Sequence, residues 1–521
     1  MAGTTTWKLW MVTLCLLLLL PYGFVQRAYA EPARVLVVYD SLALGTPKEG
    51  NIEALKRVLA SFGVEVTVTS FDRYKQGTLD KYQQVIGVRN ADDLTELKAE
   101  YRNDFASYQG AYLHIGSQLP DKTRQALGLQ VEERSRDTIR LSIGSYAQSA
   151  IPVNRMPYIV QTEGTAFAYG TLVSDSSHAV SPYGVMRERM AYVPYFEKGN
   201  LSELAIAYIV KDWLGVKRQS QNYVLFKPVY PFSNLEQMQR LADRLYESGI
   251  PFIVSAMPVF SNTDYPAMKR YLEALKYVQS RNGSILVNAP VVASTISQDI
   301  TTLSDQMASF INALAEYGIA PLGIGAEMYW TYDQHYTARG MSYFDSIVTF
   351  PNERIMHRAQ TDTSKAFSSS VYTLKAGELN KFEQQGKVRE PFPMDTALVY
   401  DFPEDGKQFE QTLQALTSDW TTYADYKMAA HTVRTGANEA VSRQGQLQIN
   451  GQTPVLNKAV KAVDSQHVYI QEGPKAFAAV FTLQNNIFIA LILLTLLIFA
   501  GFLIIGHRLY RRKYTNQERS L

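Results

Sequence analysis

Ten consecutive residues in the second half of the sequence concentrate side chains that can bind or cleave a sugar. The stretch from Glu327 to Tyr336 reads EMYWTYDQHY and contains two acids, four aromatic residues and one histidine. Sugar rings stack their apolar faces on aromatic rings, while acids and amides meet their hydroxyls. The stretch therefore predicts a sugar-binding loop. The alternative is that half of these aromatic side chains pack inward, as they do in most loops.

Metal and thiol chemistry have little support in the sequence. The seven histidines are scattered, and no pair has the spacing of metal ligands. Cys15 is the single cysteine and lies inside the first hydrophobic run, so a chain without that run has no thiolate ligand and no disulfide. A glycine fingerprint for phosphate binding is missing as well. The sequence predicts no metal and no cofactor.

Alternating strand and helix patterns must position the sugar-binding loop. Apolar runs such as Tyr223–Phe226 and Phe252–Ala256 alternate with amphipathic segments such as residues 234–249. Repeated βα units of this kind predict a barrel-like domain of parallel strands. Glu327 follows the apolar run at residues 321–325, which places the loop at the carboxyl ends of the strands.

The first part of the chain also alternates strand and helix patterns, but these patterns predict a fold other than a barrel. Residues 34–39 form an apolar run, residues 51–62 a helical pattern, and residues 64–69 a β-branched run. This order predicts a flavodoxin-like, doubly wound α/β sheet with helices on both faces. Residues 121–215 are harder to interpret, because short β-rich pieces alternate there without a clear period.

Both ends of the chain carry membrane-related segments. The apolar run Leu9–Leu20 and a small-residue cleavage site ending at Ala30 match a signal peptide, with an uncleaved anchor as the alternative. Residues 487–506 contain no charge and are long enough to cross a bilayer. The basic tail at residues 507–521 predicts a single-pass cell-membrane protein with its body outside and its C terminus in the cytoplasm. A net charge of +2 disfavours nucleic acid as a partner.

One long run carries a family resemblance. Residues 225–260, LFKPVYPFSNLEQMQRLADRLYESGIPFIVSAMPVF, resemble a family of exported polysaccharide-deacetylase-like proteins of uncharacterised function from bacterial exopolysaccharide operons. The resemblance also includes residues 189–196 and 320–324, and it covers about residues 33–360. It implies a deacetylase-type (βα) barrel-like domain. It also implies a polysaccharide and other exopolysaccharide-synthesis proteins as partners.

The metal-binding motifs of that family are degenerate in this chain. A family motif of an acid followed by Asp-Val-x-Pro reads KPVYP at Lys227–Pro231. The family motif His-Gly-Tyr-x-His reads NAPVV at Asn288–Val292, and a family histidine is replaced by Met328. Proline has no donor atom, and methionine is a poor ligand for a hard divalent ion. The resemblance therefore implies a pseudoenzyme.

These observations predict a membrane-anchored, non-catalytic protein that binds an exopolysaccharide or assists its export. The alternatives are a metal-independent esterase or glycosidase and an envelope scaffold. Because Lys227 stands where the family has an acid, it is expected to be exposed or paired with Glu327. An active enzyme is expected to use Glu327, Asp333 or Asp401. The expected substrate-binding residues are Lys227, Tyr230, Tyr329, Trp330, Tyr332 and Asp333.

The predicted domain boundaries follow the changes of pattern along the chain. They are a signal peptide at 1–30, a flavodoxin-like α/β domain at 31–215, a degenerate deacetylase-like (βα) domain at 216–360, a looser α/β region at 361–485, a single transmembrane helix at 487–506 and a basic tail at 507–521.

Overall fold

The computed structural model describes residues 32–91, 97–162, 164, 166–261, 263–290, 301–384, 390–418, 421–456, 459–463 and 476–514. The chain divides into two compact units, residues 1–463 and 464–521, and each is described by itself. The predicted signal peptide at 1–30 and residues 515–521 of the predicted tail lie outside the described residues.

A mixed sheet forms the amino-terminal half of the first unit. Its strands are β1 (Arg34–Tyr39), β2 (Glu65–Ser70), β3 (Gln84–Arg89), β4 (Ala111–Gly116), β5 (Leu129–Ile143), β6 (Tyr146–Thr162), β7 (Phe167–Ser174), β8 (Val180–Arg187) and β9 (Met190–Val193). The parallel strands follow the order β2-β1-β3-β4-β9, the order of flavodoxin-type doubly wound sheets. Residues 35–38 are fully buried, as expected for a strand covered on both faces.

An antiparallel extension occupies the region that the sequence left without a clear period. The long hairpin of β5 and β6 continues through β7 and β8 to β9. In the second half of β5, the buried residues Ile139, Leu141 and Ile143 alternate with more exposed ones, so one face packs on the core. The helices of this half are α1 (Asn51–Ala60), α2 (Ala99–Ser107), α3 (Asp121–Leu127) and α4 (Leu201–Trp213).

A closed barrel of seven parallel strands follows. Its strands are β10 (Asn222–Val229), β11 (Phe252–Ala256), β12 (Gly283–Asn288), β13 (Pro321–Glu327), β14 (Ser346–Phe350), β15 (Ser369–Lys375) and β17 (Thr396–Asp401), with the short β16 (Glu383–Gln384) between the last two. The predicted domain boundary at residue 360 is wrong, because β15 and β17 lie beyond it. Strand β17 pairs with both β15 and β10, and this pairing closes the barrel.

The helices that cover the barrel are amphipathic. They are α5 (Leu235–Glu247), α6 (Pro266–Ser280), α7 (Thr301–Glu316) and α9 (Gly406–Ser418), while the short α8 (Ala376–Leu379) follows β15. In α5 the buried residues Met238, Leu241, Ala242 and Leu245 recur at helical spacing. Asn234 caps this helix by accepting a hydrogen bond from the Gln237 backbone N–H at 3.0 Å.

A small antiparallel sheet lies near the amino-terminal ends of the barrel strands. It consists of β18 (His431–Arg434), β19 (Glu439–Arg443) and β20 (Gln446–Ile449). The buried ring of Tyr426 stacks on His431 at 4.0 Å and meets Tyr223, near the start of β10, edge to face. The His431 ring hydrogen-bonds the hydroxyl of Ser346 at the start of β14. These contacts tie the small sheet to that end of the barrel.

Two segments that leave the opposite end of the barrel pair with the amino-terminal sheet. After β14, the Val68 backbone N–H donates to the Asp362 carbonyl at 2.8 Å, and the Ser364 backbone N–H donates to the Val66 carbonyl at 2.9 Å. After β15, strand β16 pairs with β6. Because β2 and β16 are the outermost strands of the sheet, both of its edges are attached to the barrel.

A buried polar network forms a third attachment between the two halves. The Arg57 guanidinium of α1 lies 3.1 Å from a carboxylate oxygen of Glu203 on α4. Arg57 also donates to the hydroxyl of Tyr372 on β15 and to the Thr373 carbonyl. The Tyr372 hydroxyl donates to Glu203 at 2.7 Å. A buried ion pair needs such additional hydrogen bonds to offset the cost of desolvating both charges.

The second unit contains helix α10 (Ala476–Tyr514). Within the described part of the chain, its segment Asn485–Arg512 is the one helix long and apolar enough to cross a membrane. The predicted span at 487–506 lies inside this segment. The length and composition of the helix are those of a single-pass membrane anchor.

Removing one partner of the buried network should destabilise the protein strongly. We expect Arg57→Ala to lower the free energy of unfolding by about 3–5 kcal/mol, because Glu203 then keeps a buried charge without its cation. The matched control is Arg140→Ala, which removes a partly exposed ion pair with Glu383 between β5 and β16. An exposed pair stabilises a fold much less than a buried one, because water and salt screen the attraction between its charges.

Urea unfolding of the full chain in detergent, followed by intrinsic fluorescence, measures both variants. Equal losses of stability in Arg57→Ala and Arg140→Ala would contradict a special role for the buried network.

Candidate functional site: a cleft at the mouth of the barrel

A cavity of about 630 Å³ opens where the barrel strands end. Each of the seven strands contributes a lining residue at its carboxyl end or directly after it: Lys227, Met257, Asn288, Glu327, Phe350, Lys375 and Asp401. Carboxyl ends of parallel barrel strands meet on one face, and that face holds the active sites of barrel enzymes. The volume is in the range of small-molecule pockets. This cavity, called the cleft below, is the candidate site.

The amino-terminal half supplies part of the wall of the cleft. Arg57 of α1, Glu203 of α4 and the loop residues Lys198 and Asn200 line it. A neighbouring cavity of about 640 Å³ shares Arg57, Lys198, Glu203 and Glu353 with the cleft. The two cavities therefore adjoin, with Arg57 and Glu203 in the wall that both share.

Lys227 lies two residues before the end of β10. Its side chain is half-buried, and its ammonium nitrogen lies 3.8 Å from the centroid of the Phe350 ring. Burial lowers the pKa of Lys227, although the nearby carboxylates of Glu353 and Glu327 oppose that shift. The sequence predicted that Lys227 is either exposed or paired with Glu327. In the structure a cation–π contact holds it instead, and Glu327 acts on it as a nearby charge.

Glu327 ends β13 beside the backbone of the following loop. Its side-chain oxygen accepts a hydrogen bond from the Glu353 backbone N–H at 3.0 Å. Burial raises the pKa of Glu327, so its carboxyl group keeps a proton to a higher pH than an exposed glutamate does. Asp401 ends β17, three strands away in one direction around the barrel and four in the other. The two carboxylates thus lie on opposite sides of the cleft.

Two predicted binding residues, Tyr329 and Trp330, line the cleft but are almost completely buried. Their exposed fractions are 4% and 2%. The Trp330 indole N–H donates to the Tyr329 hydroxyl at 3.2 Å, and the indole stacks on Tyr336 at 4.4 Å. Most of both rings is therefore already covered by protein, and truncating either ring would cost stability as well as any contact with a ligand.

Tyr332 and Asp333, also predicted to bind substrate, have structural roles, and for them that prediction is wrong. Tyr332 belongs to the core of the amino-terminal half, with the Lys56 ammonium 3.8 Å from the centre of its ring. Asp333 has no exposed surface. Its carboxylate accepts hydrogen bonds from four backbone N–H groups, those of His335, Tyr336, Arg358 and Ala359. Asp333 therefore organises its loop and is not positioned as a catalytic carboxylate.

An exposed aromatic pair at the rim was only half predicted. Tyr230 lines the cleft, and its ring stacks on Phe232 with the centroids 4.8 Å apart and the planes 13° from parallel. Phe232 is 82% exposed. The turn is fixed by Ser233, whose backbone N–H donates to the Tyr230 carbonyl and whose hydroxyl accepts from the Tyr230 N–H. Two aromatic residues flanking a proline directly after a barrel strand were the sequence signal for this pair.

Among the described residues, those at the positions of the degenerate motifs do not form a set of metal ligands. No group of three or more His, Cys, Asp or Glu side chains among the described residues is placed to hold a metal ion. Asn288 accepts from the Ser255 hydroxyl at 2.9 Å and donates to the Ala289 carbonyl. Met328 is buried in the core of the amino-terminal half. Val291 and Val292 lie outside the described residues.

Comparisons with known proteins give little further guidance. No family model matches this chain, and no curated protein matches it. Among solved structures, it is similar to a truncated form of 3-deoxy-D-arabino-heptulosonate 7-phosphate synthase from Thermotoga maritima, at 10% identity and a TM-score of 0.20. The match covers 39% of this chain and 88% of that one. A likeness this weak carries no argument, and the resemblance to the deacetylase-like family stays a prediction.

The loop around Asp333 provides a test of its structural role. We expect Asp333→Asn to lower the free energy of unfolding by about 1–3 kcal/mol, because an amide nitrogen cannot accept the hydrogen bonds that one carboxylate oxygen now accepts. The matched control is Asp401→Asn, an exposed carboxylate at the same mouth, expected to change stability by about 0.5 kcal/mol or less. Urea unfolding measures both, and equal stability of Asp333→Asn and wild type would contradict this assignment.

Proposed function

We propose that this chain is a membrane-anchored protein that binds a glycan in the cleft without hydrolysing it. The observation that carries the proposal is the stacked pair of Tyr230 and Phe232 at the rim of a cleft of about 630 Å³. Tyr230 is half-buried and Phe232 is exposed, and a stacked aromatic pair of this kind beside a cavity is a surface suited to the apolar face of a sugar ring.

The charges of the cleft support a hydroxyl-rich ligand. Both signs are interspersed, so the cleft favours neither a strongly anionic nor a strongly cationic ligand. Carboxylates accept hydrogen bonds from hydroxyls, and ammonium and guanidinium groups donate to them. The charged lining residues are Arg57, Lys198, Lys227, Arg354, Lys375 and Lys381, together with Glu203, Glu327, Glu353, Glu378 and Asp401.

The non-catalytic part of the proposal follows from the degenerate motifs. Where the resemblance implies metal ligands, the chain has Pro228, which has no side-chain donor atom, Asn288 in place of a histidine, and Met328, a poor ligand for a hard divalent ion. A glycosidase is the second candidate, because Glu327 and Asp401 lie on opposite sides of the cleft and burial raises the pKa of Glu327. One protonated and one ionised carboxyl group is the arrangement that glycoside hydrolysis requires.

The orientation in the membrane is also part of the proposal. Within helix α10, the apolar segment is followed by the basic residues Arg508, Arg511 and Arg512. Positive residues next to a span remain on the cytoplasmic side. We infer that residues 31–485 lie outside the cytoplasm, where a secreted glycan is accessible.

Removing the aromatic pair should weaken glycan binding without destabilising the fold. We expect Tyr230→Ala and Phe232→Ala each to raise the dissociation constant about 2- to 12-fold, since a ring-stacking contact is worth about 0.5–1.5 kcal/mol. The matched control is Phe167→Ala, which removes a 61% exposed phenylalanine that contacts Tyr169 on β7, away from the cleft. Calorimetric titration with short oligosaccharides, with and without N-acetyl groups, measures the constants.

The other possible results of this titration each favour one of the other candidate functions. If wild type binds none of the oligosaccharides, or if both variants bind as tightly as wild type, the cleft is not a glycan site and an envelope scaffold is favoured. If wild type cleaves the oligosaccharide and Glu327→Gln does not, the protein is a glycosidase.

Protease accessibility tests the orientation. When protease is added to intact protoplasts, we expect a tail antibody to detect only a short protected fragment that contains α10, because the body is cleaved outside. Lysed protoplasts serve as the control in which the tail epitope is lost as well. Protection of the full-length chain in intact protoplasts would show that the body lies inside.

A further inference from the structure

Lys227 has an unusual environment for a half-buried lysine. Within the part of the chain that the structure describes, its ammonium makes no hydrogen bond or ion pair, and it faces the Phe350 ring at 3.8 Å. Other poorly exposed lysines have polar partners. Lys427 donates to the Asn282 carbonyl at 2.9 Å and pairs with Asp425. Among the described residues, the Lys227 amine therefore has no hydrogen-bonding or charged partner that blocks it, and the Phe350 ring covers one side of it.

The groups around Lys227 determine how readily it loses its proton. Burial lowers its pKa, and the nearby ammonium of Lys375 acts in the same direction. The carboxylates of Glu353, Glu327 and Asp401 oppose the shift, and the net direction is downward. At a given pH, a larger fraction of Lys227 is therefore the free amine than of an exposed lysine. A free amine with an open cavity beside it is a nucleophile.

We propose that Lys227 forms an imine with the carbonyl carbon of a small aldehyde or ketone that enters the cleft. The inference does not depend on glycan binding, because it rests on the placement of one amine between carboxylates at the mouth of the barrel. The cleft offers hydrogen-bonding groups of both signs to such a ligand, and the open-chain form of a reducing sugar is one member of this class.

The surrounding carboxyl groups suit the proton transfers that imine formation requires. The nitrogen lone pair attacks the carbonyl carbon, and the carbonyl π electrons move to the oxygen, which takes a proton. The nitrogen then loses a proton, the new hydroxyl is protonated and leaves as water, and the resulting iminium loses its N–H proton, which leaves a neutral C=N bond. Glu327 is half-buried with a raised pKa and can donate a proton, while Asp401, the register partner of Lys227 on β17, can accept one. Carbonyl and amine thus give imine and water, with no oxidant or reductant.

Reductive trapping on the full chain tests the proposal. The protein in detergent is incubated with glycolaldehyde and cyanoborohydride near neutral pH, digested, and analysed by peptide mass spectrometry. We expect Lys227 to be alkylated at least tenfold faster than Lys375 and Lys381. These two lysines are exposed and line the same cleft, so they serve as controls within the same molecule.

Two variants distinguish a reactive Lys227 amine from one that is merely accessible to the aldehyde. Lys227→Arg keeps the charge but cannot form an imine, so alkylation of its peptide should disappear while that of Lys375 continues. Glu327→Gln should slow the alkylation of Lys227 and leave Lys381 unchanged, because it removes a proton donor. Alkylation of Lys227 in wild type at the rate of Lys375 or slower would overturn the proposal. That result would leave the calorimetric test of glycan binding unaffected.

Discussion

The buried network of Arg57, Glu203 and Tyr372 is the interaction on which the architecture of the body depends. Once the sheet meets the barrel, these groups keep little contact with water, so each requires the others as partners. Arg57 and Glu203 also line the cleft. The contacts that satisfy their charges therefore place one wall of the cleft against the barrel. In this protein, the docking of the two halves therefore also completes the wall of the cleft.

The fold class could be predicted from segments in which a single hydrophobic pattern determines the secondary structure. The apolar runs of the parallel strands and the helical spacing in α5 both predicted elements that the structure contains. The end of the barrel was missed because the connection from β15 to β17 leaves the barrel to pair with β6, which interrupts the βα repeat. The first half of β5 was missed because it is largely exposed on both faces and shows no period.

Which of the predicted residues line the cleft depends on their position on a strand more than on their side-chain type. Lys227 lies near the end of its strand and Glu327 at the end of its own, and parallel strands bring such ends together. Tyr332 and Asp333 share a loop with Glu327 but turn into the protein, because tertiary contacts decide which way a loop residue points. Phe232 was not predicted, because the sequence signal of two aromatic residues flanking Pro231 was applied to Tyr230 alone.

The attachment of both sheet edges to the barrel has a mechanical consequence. Bodies joined at one point can swivel, whereas the sheet here is held near Ser364, at β16 and at the buried network. Hinge closure about any one of these attachments would break the other two. The cleft therefore has its full width before a ligand arrives, and little conformational entropy is lost on binding. A cleft held rigid in this way discriminates between ligands by their cross-section.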